Sequence, residues 1–368
     1  MWVDGPIYRE ALAESCSTRP PAIVLGMGKS RPVKTIAHTN EFALIAALRD
    51  VLPLEPDWVK VGRGQDDCAV LDLGGRNRLV WTCDAQVEGV HFRRDWLNAR
   101  QLGRRAASVN LSDIAAMGAQ PVAALASLQL PTNLPERDYK NLMRGIGEQL
   151  AKHGASLVGG NLTRGPRLTV DLSLLGRAAG HDVAGRGGAR VGDRILVSGF
   201  PGEAAAGLDW LSHQSRRKDR APQPVKLRRR WTAPTPRVAA GQLLLRGGVT
   251  SMIDISDGLQ ADLGHLCDTS HVDAEIYKDQ LPVSTALRRY ATTRNKPAWQ
   301  WVLGGGEDYE LLCTAPARCA HQLQAQAHTE LDLVLTDIGH ILEHGQGRWL
   351  RDDTHRQRLS DRGHRHFG

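Results

Sequence analysis

The feature that most constrains this fold is a glycine-rich break, AGHDVAGRGGARVGD at residues 179–193, set between two runs of alternating strand-like and helix-like segments. Before the break, AVLDL (69–73), RLVWTCDA (78–85), VAALASLQL (122–130), ASLVGGN (155–161) and RLTVDLSLLGRA (167–178) read as strands. EFALIAALRDVL (41–52), LGRRAASVNLSDIAAMGA (102–119) and ERDYKNLMRGIGEQLAKHGA (136–155) have the apolar spacing of helices. After the break, RILVSG, TSMIDIS, DAEIYK and DYELLCTA read as strands, with AAAGLDWL, PRVAAGQLLL and SDGLQADLGHL as helices. Alternation of this kind predicts two α/β (α+β) domains meeting near residue 185. The expected division is an extension over 1–40, a first domain over 41–180 and a second over 186–368.

Several function classes are disfavoured by composition. The 368 residues are 41% hydrophobic and 24% charged, the balance of a globular protein. No apolar window reaches the length of a membrane span, and the first residues lack the basic start and apolar run of a secretory signal. The six cysteines are scattered with no C-x-x-C pair, which suits a reducing cytoplasm rather than a disulfide framework or zinc site. A net charge of +7 invites a nucleic-acid partner, but aromatic residues are only 5% and the basic residues cluster only at 215–220 and 227–231. The expected partners are therefore anionic small molecules, with no nucleic acid and no membrane. Within 1–40, GMGKS (26–30) resembles the end of a phosphate-binding loop, yet Ile23 stands where that motif needs glycine.

Four stretches place carboxylates beside glycine or at a strand end: VGRGQDDCAV (61–70), TCDAQVEGVHF (82–92), VNLSDIAAMGA (109–119) and MIDISDGLQADLGHL (252–266). Singly, an aspartate at a strand–helix junction is more often a cap than a ligand. Ser256 is expected to cap the helix that follows, with Asp257 in its first turn. Asp113 is different, because a carboxylate on a packed helix face must be paired or bind a cation. Recurrent hard oxygen ligands, with no cysteine–histidine set, fit Mg²⁺ rather than zinc, and Mg²⁺ in turn points to phosphates. Two glycine sets, LVGGNLTRGP (157–166) and VLGGGEDYEL (302–311), offer backbone N–H groups to an anion. With an arginine, Arg164 or Arg186, these meet the requirements for binding ATP.

Taken in order, these segments resemble the thiamine-monophosphate kinase family, of the superfamily containing aminoimidazole-ribonucleotide synthetase and selenophosphate synthetase. The resemblance runs from about Glu41 to about Gly345, most specifically in VEGVHF (87–92), VNLSDIAAMGA, DISDGL (254–259) and GGEDYEL (305–311). It implies an N-terminal α/β domain that dimerises through its sheet, a C-terminal α/β domain, and an active site in the cleft between them, near the dimer interface. It also implies a cytoplasmic homodimer that phosphorylates thiamine monophosphate with ATP and several Mg²⁺ ions. By motif, Asp67, Thr82, Cys83, Asp84, Asp113, Asp254 and Asp257 match metal ligands, with Asp84, Asp113 and Asp254 at the catalytic centre and Asp66 as support. Gly160, Asn161, Arg186 and Ser256 match nucleotide contacts, and His91 and Glu307 match substrate contacts. A diverged paralogue acting on another phosphate, amide or carboxylate, or a binding-only protein, would use the same residues.

The sequence departs from the family pattern at four places. Gln65 replaces the glycine of Gly-Asp-Asp, and Thr82-Cys83-Asp84 replaces Ser-Thr-Asp, putting a soft sulfur where a hydroxyl is usual. Asn161 replaces the aspartate of Gly-Gly-Asp. The C-terminal aromatic that packs on the thiamine ring falls near Asp361, with His364 and Phe367 nearby.

Overall fold

The computed structural model describes residues 41–179, 182–214 and 224–359. The expectations for 1–40, including GMGKS, and for the C-terminal tail lie outside the described residues. The strands of the first half are β1 (Val59–Val61), β2 (Ala69–Leu71), β3 (Asn77–Val87), β4 (Gln120–Leu130), β5 (Ser156–Arg164) and β6 (Thr169–Ala179). Its helices are α1 (Glu41–Val51), α2 (Ala99–Ala116) and α3 (Glu136–Lys152). The second half contains β7 (Arg194–Ser198), β8 (Ser251–Asp254), β9 (Asp273–Tyr277), β10 (Leu311–Ala315), β11 (Leu335–Leu342), β12 (Trp349–Arg351) and β13 (Arg356–Arg358). Its helices are α4 (Glu203–Gln214), α5 (Val225–Thr232), α6 (Val238–Arg246), α7 (Leu259–Ser270), α8 (Thr285–Thr293), α9 (Ala298–Gly304) and α10 (Ala317–Leu331).

Among the described residues the strands form two sheets, ordered β1-β2-β3-β6-β4-β5 and β13-β12-β9-β11-β7-β10-β8. Pairing is antiparallel except for β4 with β5 and β12 with β9. The first sheet has one covered face. Val80, Thr82, Val170, Leu172, Leu174, Ala124, Ala126 and Leu128 point into the core, where α2 and α3 pack. Their neighbours point outward, and Trp81, Val122 and Leu125 stay exposed. VAALASLQL, whose apolar content suggests a buried strand, is therefore buried on one face only.

α2 lies between the halves. It contacts β3, β6 and α3 of the first and α5, α6 and β8 of the second. Its side chains are small (Ala106, Ala107, Ser108, Ser112, Ala115, Ala116) and buried all round, which is how a helix survives inside a core. Gly241 of α6 makes the close approach possible, since a Cβ there would sit 1.9 Å from the Ala115 carbonyl oxygen. Asn98 caps α2 in a reciprocal capping box with Gln101. The helix is thus fixed at its start and buried through its length. It presents Asn110, Ser112 and Asp113 at fixed places.

Candidate active site

Thr82 and Asp84 stand on the covered face of β3, two residues apart. The Thr82 hydroxyl donates to Asp113 Oδ2 at 2.5 Å. Asn110, one turn before Asp113 on α2, accepts from the Asp84 backbone N–H at 3.1 Å. Ser112 donates to Asp254 Oδ2 at 2.6 Å, reaching the last residue of β8 from the other sheet. Asp67, on the loop before β2, closes the group. One helix therefore holds Asp84 of β3 and Asp254 of β8 beside its own Asp113, and Asp67 comes near enough for its charge to act on Asp113 and Asp254.

These carboxylates repel one another in a desolvated place. Burial, then the charges of Asp84, Asp254 and Asp67, hold the Asp113 carboxyl well above the usual range, although Thr82 opposes this. Burial and the Asp67 charge push Asp254 up to about 8 against the Ser112 hydrogen bond. Such a cluster needs positive charge nearby. Part of it comes from Arg186, whose guanidinium donates through both Nε and Nη2 to Asp67 Oδ1. Burial works against the arginine's charge, but Asp67, with Asp66 and Asp254, outweighs it and raises the pKa.

Asp66 has a different task. Its Oδ1 accepts from the Asp67 N–H at 3.0 Å and its Oδ2 from the Arg186 N–H at 2.9 Å. It therefore ties the loop before β2 to the glycine-rich segment. Burial and the adjacent Asp67 push Asp66 up to about 7.

Among the described residues, Asp67 Oδ2 is buried without a hydrogen-bond partner, and a buried carboxylate oxygen left bare is costly. Asp67, Asp84, Asp113 and Asp254 lie near enough for their charges to act on one another, and with the Thr82 hydroxyl bonded to Asp113 they offer only hard oxygen. Both observations fit a Mg²⁺-type cation. Among the described residues, however, the group whose ligand atoms all lie within 4.8 Å of one another is Asp257, Asp262 and His265.

Other expected site residues are placed differently. Cys83 faces the outer side of β3, where its thiol donates to Asp171 Oδ1 at 3.1 Å. Strand alternation puts it opposite Thr82 and Asp84, so its sulfur is not part of the carboxylate cluster. Gly160 and Asn161 lie inside β5 rather than in a loop after a strand. Gly160 is required there because φ is +152° and a Cβ would meet the Ala126 carbonyl oxygen at 1.9 Å. The pairings Asp84–Leu172, Leu172–Ala126 and Ala126–Gly160 form one row across the sheet. Three strand spacings separate its ends, about 14 Å. Asn161 is one position further and outward-facing, so within one chain it does not join the carboxylates.

The expected cap of α7 is also shifted. β8 ends at Asp254, Ser256 is exposed, and Gly258 with φ +120° occupies the N-cap, so Asp257 precedes the helix. Asp257 instead gathers with Asp262 and His265, whose ligand atoms all lie within 4.8 Å of one another. Asp262 accepts from the Gly258 N–H at 3.0 Å. Burial and the charges of Asp257, Asp254 and Asp67 raise its carboxyl, so this second group adjoins the first. Burial and the Arg186 charge lower His265.

His91 follows the end of β3, and its Nδ1 accepts from the Val87 N–H at 3.0 Å. In the neutral ring the proton is then on Nε2. Glu307 adopts a left-handed backbone, φ +65°, and its carboxylate accepts from Arg105 and from the Trp231 indole N–H. Sequence reasoning misses Asn110, Ser112, Arg105 and Trp231 as functional positions. No local signal marks them, because each acts on a residue distant in sequence.

Residues 65–178 match the family AIR synthase related protein, N-terminal domain. The thiamine-monophosphate kinase of Escherichia coli (strain K12) is 36% identical over 328 residues, covering 89% of this chain and 98% of that protein. The solved structure called AaThiL complexed with AMPPCP and TMP superposes with a TM-score of 0.77 at 32% identity, covering 89% of this chain and 97% of that one. Thiamine-monophosphate kinase from Stenotrophomonas maltophilia K279a gives 0.69 at 37% identity, over 85% and 96% of the respective chains.

Proposed function

The chain belongs to the thiamine-monophosphate kinase family, and on that premise we propose that it transfers the terminal phosphoryl group of ATP directly to the phosphate of thiamine monophosphate. The products are thiamine diphosphate and ADP. The observation that carries the reading is the convergence of Asp67, Thr82, Asp84, Asp113 and Asp254, with a buried Asp67 oxygen left unpartnered among the described residues. The test is ADP release with separation of thiamine diphosphate, both dependent on added thiamine monophosphate.

An ionised phosphate acceptor needs no strong general base, so the work left to the protein is alignment and charge neutralisation. Asp67, Thr82, Asp84, Asp113 and Asp254 would hold Mg²⁺, with Asp257 beside Asp262 and His265 as a further ligand group. Bound there, Mg²⁺ supplies the positive charge that lets two anionic phosphates approach. Arg186 adds a fixed positive charge at the same wall through its ion pair with Asp67. His91 Nε2–H donates to an acceptor oxygen, and Glu307 accepts from the amino group of the thiamine ring system. Ser256, exposed beyond β8, contacts the nucleotide, and Gly160 with Asn161 on β5, about 14 Å from Asp84 along the sheet, would reach it only in the site of a second copy.

The protein works as a cytoplasmic homodimer in this reading. No helix among the described residues is long and apolar enough to cross a membrane. The outer face of the first sheet exposes Trp81 on β3 and, across β6, Val122 and Leu125 on β4, apolar surface of the kind that a second copy covers. Residues 41–180 would form the dimerising, nucleotide-binding domain and 186–368 the second domain, with Asn161 at the interface. Light scattering on the wild type and on Trp81→Glu tests this. A dimer that becomes a monomer supports it, and a wild-type monomer contradicts it.

A further inference from the structure

We infer that Arg105 is a positioning residue that fixes Glu307 at a set distance from the carboxylate cluster, so that the helix carrying both sets the spacing between acceptor recognition and phosphoryl transfer. The inference rests on the function proposed above.

Arg105 is fully buried, an uncommon place for a guanidinium unless every donor has a purpose. Nε donates to Gln86 Oε1 at 3.2 Å, Nη1 to the Trp231 carbonyl, and Nη2 to Glu307 Oε1. The guanidinium also lies over the Trp231 ring, 4.5 Å from its centroid, and 5.9 Å from that of Tyr309. It thus ties β3 and α2 of the first half to α5 and the 305–310 loop of the second. Glu307 sits 202 residues away in sequence, so chain connectivity does nothing to hold the pair.

Glu307 needs such a hold. It and Tyr309 adopt left-handed backbones, φ +65° and +53°, which non-glycine residues enter only when surroundings impose it. Their N–H groups donate to the carbonyls of Ser256 and Ile255 at 2.7 and 2.9 Å, hanging the loop from the end of β8, where Asp254 lies. The Glu307 side chain remains 25% exposed while Arg105 is 0% exposed, so part of the glutamate reaches solvent and none of the arginine does. A molecule arriving in the cleft can meet Glu307 but not Arg105.

The same helix holds Asp254. Ser112 stands seven residues after Arg105, two turns along α2, or about 10.5 Å at ~1.5 Å per residue. One rigid buried rod therefore indexes Glu307 at one point and the carboxylate cluster at another. Lysine would keep the charge of Arg105 but lose its planar fork and its stacking on Trp231.

The test is steady-state kinetics of wild type, Arg105→Lys, Glu307→Gln and the double variant, with thermal midpoints recorded alongside. Arg105→Lys is expected to raise KM for thiamine monophosphate about tenfold, with KM for ATP within about twofold of wild type. Because the arginine acts through Glu307, the double variant should have an acceptor KM no higher than Glu307→Gln alone. An unchanged acceptor KM in Arg105→Lys, equal rises in both KM values, or multiplied effects in the double variant would overturn the inference. A wild-type protein that leaves thiamine monophosphate untouched would remove the proposed function, and this inference with it.

Discussion

Replacing Ser112 by alanine isolates one hydrogen bond at the centre of the site. The Ser112 hydroxyl and Asp254 carboxylate are both buried, and their 2.6 Å contact is one of the influences holding the Asp254 pKa down against burial and the Asp67 charge. Hydrogen bonds to charged groups contribute about 1.5–3 kcal/mol. At ~1.36 kcal/mol per unit, that loss raises Asp254 from about 8 by roughly one to two units. A cation and a proton compete for the same carboxylate, so below that pKa each unit weakens metal binding about tenfold. Half-saturating Mg²⁺ for the Ser112→Ala variant should therefore rise about 10- to 100-fold at pH 7. The gap should narrow toward pH 9, where Asp254 ionises unaided in the wild type. Alanine is the better helix former, so α2 is not weakened by propensity. The assay is turnover against Mg²⁺ concentration at pH 6, 7, 8 and 9. An unchanged Mg²⁺ requirement across that range, with the protein folded, would refute the reasoning.

Asp84→Asn and Asp254→Asn should each lower turnover by at least about a hundredfold with circular dichroism unchanged, and normal turnover in both would remove them from the catalytic centre. Asp254, Asp113 and Asp66 carry raised pKa values when folded, against an ordinary 3.8 when unfolded. Between about pH 4 and 8 the unfolded chain releases protons that the folded one retains, so these groups destabilise the metal-free fold as pH rises. The thermal midpoint of chelator-treated protein should fall over that range, and added Mg²⁺ should raise it more at pH 8 than at pH 5. Equal rises at both pH values would contradict this. Gly160→Ala should lower the midpoint by several degrees, because its Cβ collides with the Ala126 carbonyl in a paired strand. An unchanged midpoint would mean that β5 gives way without cost.

The two α/β halves are legible in the sequence because strand and helix periods are local properties, and the glycine-rich break separates them in the chain. The carboxylates are legible because Asp84 and Asp254 follow apolar runs in the sequence and Asp113 interrupts a packed helix, although Asp84 lies inside β3 rather than at its end. Motif matching puts Thr82, Cys83 and Asp84 together at the metal, but side chains on a strand alternate, and Cys83 turns outward to Asp171. Serine favours a helix cap, yet Gly258, free to take φ +120°, holds that place instead of Ser256. The glycines of LVGGN suggest a phosphate loop, whereas the backbone freedom of Gly160 serves to pair β5 against β4. Arg105 and Ser112 leave no trace in the sequence. Their partners are 202 and 142 residues away, and only tertiary packing brings them together.

The central claim is that this chain moves a phosphoryl group from ATP to the phosphate of thiamine monophosphate. The most direct test incubates the purified protein with Mg²⁺ and ATP labelled in the γ-phosphate, with and without thiamine monophosphate, and follows the label. The account predicts label in thiamine diphosphate, equal in amount to the ADP formed, and almost none released as free phosphate. ADP formed at the same rate without thiamine monophosphate, or label found only in free phosphate, would contradict it.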